Sequence, residues 1–211
     1  MSRALSLCGV ILAAGDSTRM GTDKAMLPWP PGTARAGSGT FLSAQIRSLS
    51  QFTELVIVVA GNNATAITPV GYAEGASLVI NPDPSRGQFS SLQVGLHEVL
   101  NRGRDAAMVT LVDRPPVGNA TIQRLSDAFA TAIANWKWAA VPQYQGKHGH
   151  PILLAREMIE AFLRAAPTAT ARDIEHQNAE HIEYVEVDDP LVIANINTPE
   201  QYAFLTSSSP R

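Results

Sequence analysis

One cysteine among 211 residues, Cys8, leaves no partner for an internal disulfide. It lies in an apolar run where a small buried hydrophobe is expected, which fits a reducing, cytoplasmic setting. Charge is also sparse: 16 Lys and Arg against 19 Asp and Glu give a net −3, so the chain has no general attraction for nucleic acid or an anionic membrane. Any anion site must be built locally from a few basic groups. The five histidines show no His-x-x-x-His spacing and there is no cysteine pair, so a zinc site has no signature. No apolar run is long enough to cross a bilayer. The N-terminal apolar run carries a single arginine and continues into a core-strand pattern, so it reads as a strand and not as a leader.

What is present is a rhythm. "LCGVILAA" (7–14), "LVIVVA" (55–60), "SLVI" (77–80) and "AAMVTLV" (106–112) are almost continuously apolar, the pattern of parallel strands covered on both faces. Helical spacings separate them: Leu42, Ile46 and Leu49 after Thr40, then Leu92, Leu96 and Val99 after Ser90. Thr40 and Ser90 are the expected N-caps. A third helix follows Asn119 through Ile122, Leu125 and Phe129. Beyond residue 135, "WKWAAVP", "HPILL" and "HIEYVEV" read as strands and "AREMIEAFLRAA" as a helix, and "NTPEQYAFL" has the cap, proline and glutamine of a helix start. The alternation predicts a single α/β domain over 1–205 with a mostly parallel central sheet and a disordered tail at 206–211. Ligands in such sheets bind beyond the carboxyl ends of the strands.

At the end of the first strand stands "VILAAGDSTRMGTDK" (10–24). Gly15 and Gly21 permit backbone conformations that bring amides close to an oxyanion. The spacing is wrong for a Walker A loop, because five residues separate the glycines and Thr22 follows the second, and the triple-glycine dinucleotide pattern is missing. Arg19 and Lys24 remain as local cations suited to phosphate, or as solvated loop charges. Asp113, directly after "AAMVTLV", falls at the same sheet edge. It either holds a hard cation or starts the turn "DRPP".

"LAAGDSTRMGTDKAML" resembles the L-A-A-G-x-S-x-R-M-G-x-x-K signature of the MobA-like nucleotidyltransferases, the relatives of the molybdenum cofactor guanylyl- and cytidylyltransferases. "TFLSAQI", "NPDPSRGQFSSLQVGL", "LVDRPP", "GKHGHPILL" and "NTPEQY" are similar to later blocks of that family, in order, while 28–38 and about 165–180 match poorly. The resemblance implies a Rossmann-like three-layer fold of the nucleotide-diphospho-sugar-transferase type. It also implies a Mg²⁺-dependent transfer of NMP from an NTP to a phosphorylated acceptor, molybdopterin first, with release of pyrophosphate. A sugar phosphate or small alcohol phosphate as acceptor, and a non-catalytic NTP-binding relative, are the alternatives.

The resemblance also distributes roles. Arg19, Lys24 and Asp113 become catalytic candidates, and Leu12, Ala13, Ala14, Gly15, Asn81, Gly87, Gln88, Ser90 and Ser91 nucleotide-binding ones. Asp113 and Asn197 would hold the metal, and Lys147 and His150 would face the acceptor. "LAAG" and "DRP" resemble the cytidylyl branch and favour CTP. Asn195 and Asn197, where that branch carries aspartates, point toward guanylyl-type members. An asparagine carbonyl can ligate Mg²⁺ but brings no charge. The NTP and the acceptor are the expected partners; the sequence names no molybdoenzyme or chaperone.

Overall fold

The computed structural model describes residues 6–15, 20–31, 39–166 and 168–208. In chain order it contains β1 (Leu7–Leu12), β2 (Pro28–Trp29), β3 (Gly39–Thr40), α1 (Phe41–Ser50), β4 (Leu55–Ala60), α2 (Ala64–Ala73), β5 (Ser77–Ile80) and α3 (Gln88–Asn101). These are followed by β6 (Ala106–Leu111), α4 (Asn119–Ala134), β7 (Ala139–Tyr144), β8 (Lys147–His148), β9 (Ile152–Ala155), α5 (Arg156–Arg164), α6 (Ala171–Gln177), β10 (Ile182–Glu186) and α7 (Pro199–Ser208). One sheet runs β10-β7-β9-β6-β1-β4-β5, with β8 paired to β7; β2 and β3 form a small separate ribbon. β1 lies parallel between β4 and β6, and β7 is parallel to β10. β9 alone runs against both of its main-sheet neighbours.

The continuous apolar runs are explained by burial on both faces. Ile11, Val58 and Met108 point into a core completed by Leu42, Ile46, Ile122 and Phe129, while Val10, Val59 and Val109 point into another completed by Leu96, Val99, Met158 and Phe162. Helices α1, α2 and α4 therefore cover one face, and α3 and α5 the other, giving three layers. Each large side chain buried this way contributes roughly 1.5–3 kcal/mol. Cys8 is part of this core, and burial pushes its thiol up to about 12, so it stays protonated and behaves as a hydrophobe.

Helix starts follow the sequence with one correction. Thr40 is the expected N-cap of α1, and with Ser43 it forms a reciprocal capping box. Helix α3, however, begins two residues before Ser90, with Gly87 at the N-cap in a conformation (φ +90°) that a side chain would strain. Ser90 instead donates back to the Gly87 carbonyl at 2.8 Å. At α7, Gln201 Oε1 accepts from the Asn197 and Thr198 amides and Gln201 N donates to Thr198 Oγ1, as a capping box requires. Once nucleated, α7 propagates to Ser208, three residues into the tail expected to be disordered. Residues 209–211 lie outside the described ones. No helix among the described residues is long and apolar enough to cross a membrane.

Candidate active site at the carboxyl edge of the sheet

Beyond Leu12 the chain leaves the sheet along its neighbour: Ala13 N donates to the Val59 carbonyl at 2.9 Å, and Asn63 Nδ2 donates to the Ala13 carbonyl at 2.9 Å. The same Asn63 amide reaches Asp23 Oδ2 at 2.7 Å, and Asp23 Oδ1 caps the single turn Lys24–Met26 by accepting from Ala25 N at 3.0 Å. Asn63 thus ties both ends of the opening loop together. Gly61 makes the close approach possible, since a Cβ there would stand 2.6 Å from the Ala14 carbonyl oxygen. Gly15 is different: among the described residues a Cβ would meet nothing within 4 Å, and Gly15 lines an open cavity.

That cavity, about 230 Å³, is bounded by Leu12, Ala14 and Gly15 on the loop, Gly87, Gln88 and Ser91 at the start of α3, and Lys24 and Asp113. No side chain caps α3, so its N-terminus is available to an anion. Three expected nucleotide residues stand one layer back. Ala13 is buried and spends its backbone on Val59 and Asn63. Asn81, 4% exposed, donates to Ser90 Oγ at 2.9 Å and Ser91 Oγ at 3.0 Å and accepts from Asp83 N at 3.0 Å. It joins the end of β5 to α3, and Ser90 completes that join. Arg19 lies outside the described residues.

Asp113 follows β6 at the floor of the cavity. Its Oδ2 lies 3.5 Å from Lys24 Nζ, which also donates to Asn197 Oδ1 at 2.8 Å; Asp113 Oδ1 is buried with no hydrogen-bond partner among the described residues. Ile196 N donates to the Asp113 carbonyl at 2.8 Å and so brings Asn197 alongside. Gln45, 2% exposed and not singled out in the sequence, reaches from α1 to the carbonyls of Leu111 (2.8 Å) and Arg114 and braces the Asp113 turn from below. Both Gln45 and Asn63 act on the backbone of distant residues; Gln45 falls in the matching block "TFLSAQI", while Asn63 lies in none.

Next to this cavity lies a groove of about 1060 Å³, sharing Leu12, Gly87, Gln88 and Leu111 with it, so the two form one trough. His150 and Arg114 line the groove. Burial, reinforced by the Arg114 guanidinium, pushes His150 down to about 3, and its Nδ1 has no partner; the ring is neutral at physiological pH. Burial likewise lowers the pKa of Arg114, with Asp113 opposing. His150 is set in place by Gly149, where a Cβ would collide with the Val192 carbonyl at 2.3 Å, and by its own amide donating to that carbonyl at 2.8 Å. Lys147, by contrast, sits exposed on the β7–β8 turn and does not line the groove.

Residues 9–182 match the MobA-like NTP transferase domain. The chain belongs to this family. This nucleotidyltransferase is 28% identical over 196 residues to the molybdenum cofactor cytidylyltransferase of Escherichia coli K12, covering 92% of each chain. It is also 28% identical over 204 residues to a probable molybdenum cofactor guanylyltransferase of Mycobacterium ulcerans, covering 93% of this chain and 92% of that one. Among solved structures, Rv0371c of Mycobacterium tuberculosis H37Rv aligns with a TM-score of 0.78 at 27% identity, over 97% of this chain and all of that one. Rv0371c has also been solved as a complex with manganese.

Proposed function

We propose that this NTP transferase moves the NMP part of an NTP, CTP by preference, onto the phosphate of molybdopterin. The observation that carries this reading is the convergence of Lys24, Asp113 and Asn197 at one end of a trough with room for two substrates. A phosphate oxygen of the acceptor attacks the α-phosphorus in line. A new P–O bond forms, the bond from the α-phosphorus to the β-bridging oxygen breaks, and pyrophosphate leaves. Such a transfer depends on orientation and on neutralising developing charge more than on covalent catalysis.

The loop amides near Gly15 and the N-terminus of α3 receive the nucleotide phosphates, and Lys24 and Arg19 balance their charge. A divalent cation, Mg²⁺ by choice, suits the remaining donors. The partnerless Oδ1 of Asp113 and the amide oxygen of Asn197 are hard ligands, and few enough to leave water and phosphate positions open. Held by Asp113 and Asn197, the ion would supply Lewis-acid withdrawal of charge from the phosphates. His150, neutral, offers the acceptor a hydrogen bond without adding charge. "LAAG" and "DRP" support CTP, and a cytoplasmic site of action suits the free thiol.

Thermal unfolding with each of ATP, CTP, GTP and UTP plus Mg²⁺ tests the nucleotide half. A ligand near 100 times its Kd stabilises the fold by about 2.7 kcal/mol. A shift with CTP alone is expected. GTP alone would overturn the base assignment, and no shift at all would overturn the reading. Pyrophosphate release with molybdopterin, set against sugar phosphates and alcohol phosphates, tests the acceptor.

A further inference from the structure

The stretch 189–197 runs past the candidate site and meets it repeatedly. The Val192 carbonyl accepts from His150 N at 2.8 Å and the Ala194 carbonyl from Arg114 Nη1 at 3.2 Å; Ile196 N then donates to the Asp113 carbonyl at 2.8 Å, and Asn197 Oδ1 accepts from Lys24 Nζ at 2.8 Å. Yet the stretch has little to hold it. Its only regular element is the single turn Pro190–Ile193, and of its residues only Val192 and Ile196 are buried. A segment with so few buried apolar contacts opens easily unless something else ties it down.

The tie is Asp189. Its Oδ1 accepts from Leu191 N at 3.0 Å and so caps the turn, while its Oδ2 accepts from Gly118 N at 3.1 Å and from Thr121 Oγ1 at 2.8 Å at the start of α4. Helix α4 has no capping side chain of its own, because Gly118 stands at its N-cap. The carboxylate of a distant residue takes that place, at the helix end where the dipole favours negative charge. An asparagine could not do the same: its amide NH2 would face either the Leu191 or the Gly118 N–H, donor against donor. The loop after β1 takes its position from elsewhere, from Val59 and Asn63.

We propose that Asp189 is a positioning residue for this site: by pinning 189–197 to the start of α4, it fixes where Asn197 and His150 stand relative to Asp113. Asp189 lines neither cavity and acts through the backbone it holds. The use made of that placement rests on the transfer reaction proposed above, whereas the anchoring rests on the hydrogen bonds of Asp189 alone. Residues that orient metal ligands from behind typically change metal affinity or activity by about 10- to 100-fold when removed.

Amide hydrogen exchange resolved by residue, on the full chain without ligand, tests the anchoring. In Asp189→Ala the amides of Leu191, Ala194 and Ile196 should exchange about tenfold or more faster relative to the core amides of β1, with Ala13 unchanged. Mn²⁺ affinity, measured by calorimetry, should weaken about tenfold or more, and Asp189→Asn should share both effects. In pyrophosphate release with CTP and molybdopterin, kcat should fall by a similar factor while KM for CTP stays within about threefold. Gly118→Ser separates positioning from helix capping. The backbone there is already extended (φ −63°, ψ 146°) and a Cβ would meet nothing closer than 3.7 Å among the described residues, so a serine can cap α4 directly. Gly118→Ser combined with Asp189→Ala should regain the unfolding midpoint yet keep the fast exchange at Ile196 and the weak Mn²⁺ binding. Undiminished protection of Ile196, a loss shared equally by β1, unchanged Mn²⁺ affinity, or recovery of Mn²⁺ affinity along with stability in the double variant would each overturn the proposal. Absence of pyrophosphate release from the unaltered protein would strike the transfer reaction alone, because exchange and Mn²⁺ binding are read without it.

Discussion

Lys24 Nζ donates to Asn197 Oδ1 at 2.8 Å, and the same ammonium lies 3.5 Å from Asp113 Oδ2. A single positive charge thus already contacts both side chains proposed to hold the divalent cation, Asp113 through the oxygen other than the one left for the ion. An ion taken up by Asn197 Oδ1 in the proposed site would displace the ammonium from that oxygen and free it for the phosphates of the nucleotide. Lys24→Met keeps the apolar stem and removes the charge. It should bind Mn²⁺ at least as tightly as the unaltered protein, measured calorimetrically, while pyrophosphate release falls by on the order of 10² or more. Asn197→Asp adds a carboxylate and should lower the Mg²⁺ concentration needed for half-maximal turnover.

Gly61 packs against Ala14 while Gly15, the chain neighbour of Ala14, opens on the cavity, and their substitution should have opposite consequences. Gly15→Ala adds a Cβ that meets no atom within 4 Å among the described residues, so the unfolding free energy should stay within about 0.5 kcal/mol while the nucleotide-induced thermal shift disappears. Gly61→Ala drives a Cβ to 2.6 Å from a backbone oxygen and should cost about 1–3 kcal/mol, with KM for NTP raised as the loop shifts.

Asn81 carries three hydrogen bonds at 4% exposure, none of them to open cavity. Asn81→Ala should destabilise the fold by about 2–4 kcal/mol in urea unfolding. A variant of normal stability that had lost nucleotide binding would contradict this bracing role and favour direct contact with the ligand.

His150 gives a signed dependence on pH. Its folded pKa, about 3, lies below the ordinary histidine value, so its contribution is intact above the unfolded pKa near 6.5. It is lost progressively as pH falls from there toward 3, at most about 1.4 kcal/mol per pH unit. Urea midpoints at pH 7 and pH 5 should fall more for the unaltered protein than for His150→Gln. Equal falls would count against a buried neutral imidazole.

The strand over 55–60 was legible to the residue because burial on both faces leaves a continuous apolar run bounded by polar turns, and 77–80 was equally legible although this edge strand is only partly covered and Ile80 is exposed. Direction was not. "HPILL" carries no mark of being reversed, and β9 runs antiparallel because it returns from β7 through the β8 hairpin. Helix α2 was missed, with Pro69 inside it and only Ile67 and Gly71 buried. Within the candidate site, residues named from the matching blocks line one cavity, as with Lys24, Asp113 and Gln88. Asn63 and Gln45 escaped because a side chain that holds another segment's carbonyl leaves no pattern in its own neighbourhood. Lys147 belonged to a matching block but is exposed and does not line the groove, while His148, the next residue of the same strand, does.

The bond from Ile196 to the Asp113 carbonyl has a consequence in time as well as in space. Asp113 and Asn197 stand far apart in the order of synthesis, so the two oxygens of the proposed metal site belong to segments made at different times, and a single backbone hydrogen bond brings them together.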